Sequence, residues 1–247
     1  MTKKSLGAFR TLYNKGRFVQ TGARIDMEVE GATFATWHPD RLLTGYSWDA
    51  LSAAILFHPS GRPRDILLLG LAGGTMIRIL RHLIPDVRIT AVELDEELVT
   101  LAARKMHLDV DPIHLHIGDA YAYLQKARKR YDVILDDVYL SGKADVYRPE
   151  TVNAHTIQTY RRRLRPDGVL AINMITDKPH RPLLKRTRAA LMNEFPCHAS
   201  ITAPRGFNQA VIAGAQLNKT DNVKIAEDVF AHPEDRKLWR RMKMRAS

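Results

Sequence analysis

The sequence predicts an α/β fold: a Rossmann-like, seven-stranded, mostly parallel sheet with an antiparallel terminal hairpin, preceded by a small N-terminal β element. Three observations predict it. Apolar β-prone runs alternate with segments of helical periodicity from residue 66 to residue 194. Strands separated by helices pair in parallel through right-handed crossovers. The last two β-prone runs, "CHASITA" (197–203) and "QAVIAGA" (209–215), have no helix between them and can pair antiparallel.

Each element follows from local pattern. "RIDMEVEG" and "ATFATW" alternate around Gly31 and predict a hairpin. "TGYSWDALSAAILFH" (44–58) carries its apolar residues on one helical face and is stopped by Pro59, Gly61 and Pro63. Strand 66–70 leads to helix 75–84, closed by Pro85. Strand 88–94 leads to helix 96–107, and strand 113–117 to helix 119–129. Strand 131–137 leads through a loop to helix 150–164. Asp167 and Gly168 turn the chain into strand 168–174, which leads to helix 181–194. The basic, amphipathic stretch from Asp221 predicts a helical tail. The expected division is a β region over 1–45, a Rossmann-like domain over 46–220 and the tail over 221–247.

Composition narrows the function class. The chain has 247 residues, 45% of them apolar, enough for a sizeable core. Its single cysteine, Cys197, excludes an internal disulfide and suits a reducing cytoplasm. The charged start "MTKKSLGAFR" predicts no signal peptide, and the longest apolar run is too short to span a bilayer. The formal charge of +11 favours anionic partners. Solvated helix faces outweigh a nucleic-acid site, because no base-stacking aromatic motif accompanies "KARKR", "RRRLR" or "RKLWRRMKMR".

Four motifs carry chemistry. Gly70, Gly73 and Gly74 form a turn between a buried strand and a helix, where glycine admits close ligand approach and free N–H groups favour an anion. Glu93 ends the next strand in "AVELD", near the spacing at which an acid binds ribose hydroxyls. Asp95 either joins it or caps the following helix. Asp119 in "IGDAYAYL" is either an N-cap or an acceptor for an adenine amino group, with the Ala120 N–H serving a ring nitrogen. "YDVILDDVY" ends the fourth strand with two acids on opposite faces, so at most one of Asp136 and Asp137 faces the pocket. Tyr139 is a further pocket candidate. His107, His114 and His116 lack a completing ligand with metal spacing, so no metal is expected.

The order glycine turn, "VELD", "GDA", "YDVILDD" resembles the spermidine synthase family, whose members adopt the class I methyltransferase fold. The likeness runs from about Tyr46 to Ala215 and leans toward the spermidine-synthase-like branch. It implies that Gly70, Leu71, Ala72, Gly73 and Gly74 line the amino-acid or aminopropyl end of the cofactor. By the same resemblance Glu93, beside Leu94, binds the ribose, Asp119 and Ala120 bind the adenine, and Asp137 accepts the proton of an attacking amine. It implies S-adenosylmethionine or its decarboxylated form as cofactor, with S-adenosylhomocysteine or methylthioadenosine as product, and a homodimer.

The departures shape the expected function. Gly73 stands where true spermidine synthases carry Asp. Leu140 and Ser141 replace an acid and a proline, and Tyr-His-Glu becomes Tyr46, Ser47 and Trp48. Losing three acids, at roughly 1.5–3 kcal/mol per charge-assisted hydrogen bond, weakens polyamine binding. Asp49 is a partial substitute, so the substrate-pocket candidates are Tyr46, Asp49 and Tyr139. The leading expectation is methyl transfer to an unidentified small acceptor. Aminopropyl transfer to a polyamine is the alternative. A non-catalytic adenosyl-binding protein and an RNA-modifying enzyme are readings of other classes.

Overall fold

The computed structural model describes residues 2–142, 146–148, 152–218 and 226–246. The chain opens with a four-stranded antiparallel sheet: β1 (Lys3–Arg10), β2 (Lys15–Thr21), β3 (Arg24–Val29) and β4 (Ala32–Trp37). Sequence reading found only the inner hairpin. β1 is an edge strand whose side chains are mostly exposed and whose pairing with β2 shifts between Ser5 and Gly7, so it carries no clean alternation.

Then come α1 (Ser47–Ala53), a 3₁₀ turn (Ala54–Phe57) and the alternating core. The core runs β5 (Asp65–Leu69), α2 (Thr75–Leu83), β6 (Arg88–Glu93), α3 (Glu96–Met106), β7 (Ile113–Ile117), α4 (Ala120–Lys126) and β8 (Tyr131–Asp136). A two-residue ribbon, β9 (Leu140–Ser141) with β10 (Val146–Tyr147), precedes α5 (Ala154–Arg163) and β11 (Leu164–Ile175). The first positions of the expected helix 150–164, residues 150 and 151, lie outside the described residues. β11 starts at Leu164, earlier than the turn at Asp167 and Gly168 suggests, and its pairing with β8 is irregular between Leu164 and Val169. α6 (Arg181–Glu194), β12 (Cys197–Thr202) and β13 (Asn208–Gly214) follow.

The second sheet has the order β14-β12-β13-β11-β8-β5-β6-β7. Strands β7, β6, β5, β8 and β11 are parallel, and β13 runs antiparallel between β11 and β12. Among the described residues this sheet has eight strands rather than the seven expected. Residues 221–225 and 247 of the anticipated tail lie outside the described residues. The rest forms a 3₁₀ turn (Ala226–Val229), α7 (Pro233–Arg240) and a strand, β14 (Lys243–Ala246), paired antiparallel with β12. β14 is basic and largely exposed, so a free backbone edge on β12, not its side chains, makes it a strand.

The period-two alternation of β5 separates the core into two layers. Ile66 and Leu68 pack with α1, α2 and α3, while Leu67 and Leu69 pack with α4, α5 and α6. At the opposite end of the sheet from the glycine turn, buried Asp65 receives Arg88, Lys129 and Arg165, which ties β5 to β6, to β11 and to the loop before β8 and offsets part of the positive charge.

The N-terminal sheet docks on the starts of α2 and α3. Thr36 N–H donates to Thr75 Oγ1 at 2.9 Å, and that hydroxyl donates back to the Thr36 carbonyl at 3.0 Å. Asp95 caps α3 through Leu98 N–H at 3.1 Å and also accepts from Asn14 Nδ2 at 2.6 Å and from the Thr11 hydroxyl. Asp95→Ala is expected to cost about 1–2 kcal/mol in chemical denaturation. Amide exchange should then quicken at Thr11 to Asn14; unchanged exchange there would refute the tether.

Candidate active site

Above the carboxyl ends of the parallel strands lies a cavity of about 620 Å³. It sits where strand order reverses, between β5 and β8, the place where open α/β sheets bind ligands. All four motifs reach it, the glycine turn through Gly70 and Ala72. Glu93 at the end of β6, Asp119 at the start of α4 and Asp137 just past β8 all border it.

Each carboxylate is held by its local chain. Glu93 Oε2 accepts from Leu71 N–H at 2.9 Å and Ala72 N–H at 2.8 Å, and its Oε1 accepts from Leu94 N–H at 2.8 Å. Glu93 therefore organises the glycine turn as well as facing the cavity. Asp119 caps α4 through Ala122 N–H at 2.6 Å. Asp137 accepts from Asn173 Nδ2 at 2.7 Å, and the Trp48 side chain lies near it. Burial pushes its carboxyl up to about 7, the neighbouring Asp136 adds to the rise, and Asn173, Arg148 and Trp48 oppose it. Asp136 leaves the opposite face of the strand and is fully buried.

Tyr46, Ser47 and Trp48 line the cavity at the start of α1, and Tyr139 lines it beyond β8. The Tyr139 hydroxyl donates to the Asn173 carbonyl at 3.0 Å, and burial holds its pKa up at about 12. Sequence reasoning missed Asn173, Asp177 and Phe207, all on the wall. A polar residue inside the apolar run "GVLAINM" was the available signal for Asn173. Asp177 lies past β11 and accepts from His180 Nδ1 at 2.6 Å. Among the described residues that line the cavity there is no lysine, arginine or histidine, and four carboxylates are present.

Residues 46–209 match the model of the spermine/spermidine synthase domain. The chain belongs to that family. A probable polyamine aminopropyl transferase of Bifidobacterium longum is 33% identical over 137 residues, covering 55% of this chain and 29% of that protein. Matches to three curated bacterial aminopropyltransferases cover 29%, 42% and 40% of their lengths, so the chain spans less than half of each. A probable spermidine synthase structure from Corynebacterium glutamicum superposes with a TM-score of 0.76 at 20% identity, over 90% of this chain and 86% of that one. A human methyltransferase-like protein 13 complex superposes at 0.60 with 23% identity, over 77% and 89%. Both share the fold.

Within this family frame, several expected positions are corrected. Asp49 is not in the pocket. It turns inward and accepts from Thr44 N–H at 3.1 Å, the Thr44 hydroxyl at 3.0 Å and Gly45 N–H at 2.6 Å, clasping the approach to Tyr46. Of the glycine turn, Gly70 and Ala72 border the cavity, while Leu71, Gly73 and Gly74 lie behind it. A side chain at Gly73 would overlap Ala35 of β4 and come within 2.9 Å of Met106 Sδ, and one at Gly74 would overlap Leu108. His107 ends α3 in the left-handed region and lies against Trp37, and His116 lies against Tyr123.

Gly73→Ala is expected to cost about 1–3 kcal/mol of stability, read from a urea midpoint; an unshifted midpoint would show open space beside the turn. A pH dependence also follows. Burial raises Asp49 and Asp137 from the usual 3.8 to about 7. A carboxyl raised this way favours folding while it keeps its proton, and that contribution fades as pH rises from its unfolded value through about 7. The parent protein should therefore lose more stability than Asp137→Asn between about pH 5 and about pH 8. Equal losses would mean that the Asp137 charge is well solvated.

Proposed function

We propose that the chain is a transferase of adenosyl sulfonium donors that moves an aminopropyl group onto an amine, as a polyamine aminopropyltransferase does. One observation carries the reading. A protein of formal charge +11 lines this cavity with four carboxylates, Glu93, Asp119, Asp137 and Asp177, and no cationic side chain among the described lining residues. Such a wall favours cations, and both a sulfonium donor and a polyamine are cations. The family membership and the aminopropyltransferase relatives point the same way.

In this reading Glu93 receives the ribose hydroxyls, and Asp119 with the Ala120 N–H receives the adenine. An amine attacks through its lone pair, so its proton must leave first or during attack. Asp137, with its carboxyl at about 7, takes that proton, and Asn173 aims the acceptor oxygen. Tyr46 and Tyr139 flank the acceptor, and Asp177 holds a distal ammonium. The carbon–sulfur bond breaks as the new carbon–nitrogen bond forms, which leaves methylthioadenosine. A homodimer and a cytoplasmic location, the latter supported by the lone Cys197, belong to the same reading.

The packed Gly73 favours a second reading. The turn presents no carboxylate to an aminopropyl ammonium, and its neutral N–H groups suit the carboxylate of intact S-adenosylmethionine, hence methyl transfer. Calorimetry with the two donors separates them: tighter binding of the decarboxylated form, with turnover of a diamine, is the expected result. Asp137→Asn is expected to lower kcat by roughly 10²–10⁴-fold with little change in donor affinity. A variant as active as the parent would remove Asp137 from the mechanism.

A further inference from the structure

Beneath the cavity floor lies a buried ion pair that the transfer reaction itself does not use. Asp136 is 0% exposed and accepts from Arg148, whose side chain is 1% exposed, and from the Tyr160 hydroxyl. Arg148 also donates to the Tyr121 hydroxyl at 3.0 Å and to the Asn173 carbonyl at 3.1 Å. Its guanidinium lies 5.2 Å from the centre of the Tyr139 ring. The Asn173 side chain then reaches across the strand to Asp137 at 2.7 Å. One chain of contacts thus runs from the buried pair to the carboxylate on the cavity wall.

A buried pair of this kind gives little net stability over apolar residues of similar volume. Its position supplies another reason. Asp136 and Asp137 are adjacent, and two neighbouring carboxylates oppose each other's ionisation. A guanidinium against the first neutralises that effect on the second. We propose that Arg148 is a positioning residue for Asp137: it cancels the charge of Asp136 and fixes Asn173, so that Asp137 is aimed and ionised for proton transfer. The inference rests on the reading of Asp137 as proton acceptor.

The charged and titratable groups facing Asp137 are Asp136 beside it, Arg148 after β10 and the Tyr139 hydroxyl, with Asn173 from β11 as hydrogen-bond donor and Trp48 of α1 nearby. Tyr121 from α4 and Tyr160 from α5 act on the buried pair. Glu93, Asp119 and Asp177 share the cavity wall.

The test is the titration of Asp137 in the whole protein, read by difference infrared spectroscopy against Asp137→Asn, beside the pH profile of kcat/KM. Arg148→Met should raise the Asp137 titration by about one pH unit, and Asp136→Asn should lower it by a similar amount. The acid limb of the profile should move with each. Arg148→Lys, which keeps the charge, should stay close to the parent. Opposite shifts support the proposal; shifts of the same sign, or none, overturn it. Either single variant carries the test alone, because the sign depends on which charge is removed. Should both fail to fold, the double variant buries no unpaired charge and should titrate within about half a unit of the parent, and a larger shift overturns the proposal. If the titrations shift as stated while Asp137→Asn stays fully active, the proton-acceptor reading fails and the charge coupling stands. If Asp137→Asn is inactive and the titrations do not move, the coupling fails and that reading stands.

Discussion

The close approach of β5 and β8 at their carboxyl ends is the constraint on which the rest depends. Gly70 adopts φ +83°, and a side chain there would come within 2.7 Å of the Asp137 carbonyl. The ladder continues past both strands, with Gly70 N–H bonded to Val92 at 3.0 Å and Asp137 N–H bonded to Leu69 at 2.9 Å. Glycine permits the left-handed turn and the contact at once. Because the strands close up here, the end of β6, the glycine turn and the end of β8 fall in one row. Glu93 and Asp137 then border the same space without any long loop to carry them.

The local field of that space opposes the field of the molecule. Many basic residues lie on helices, and others answer acids at the far end of the sheet, as Arg88, Lys129 and Arg165 answer Asp65. Charges on exposed faces are screened within roughly 8–10 Å at physiological salt, whereas groups walled by protein are screened far less. A cation inside the cavity therefore responds mainly to the four carboxylates around it, and the overall charge of +11 does not repel it in proportion.

The N-terminal sheet is part of the site's construction. Its Ala35 fills the space beside Gly73, its Thr36 is bonded to Thr75 at the start of α2, and its β1–β2 turn is tied to Asp95. The tail contributes at another point: Asp235 of α7 accepts from Leu42 N–H at 2.9 Å and Leu43 N–H at 3.1 Å, next to the segment that Asp49 clasps. Two buried carboxylates far apart in the chain, Asp49 and Asp235, thus set the path into Tyr46, Ser47 and Trp48.

The sequence by itself determined the alternating core, because period-two and period-3.6 apolar patterns are local and each element in it must bury a face. It also determined the three acids at strand ends, since their places follow from where each apolar run stops. Only the tertiary structure decided which way those and other polar residues turn. Asp49 sits one residue past Trp48, yet it faces inward because unpaired N–H groups of Thr44 and Gly45 lie there. Asn173 and Asp177 reach the cavity because β11 pairs beside β8, a relation between segments far apart in the chain. β1 and β14 are strands because neighbouring edges offer hydrogen bonds, a property of the partner that no pattern in their own residues can encode.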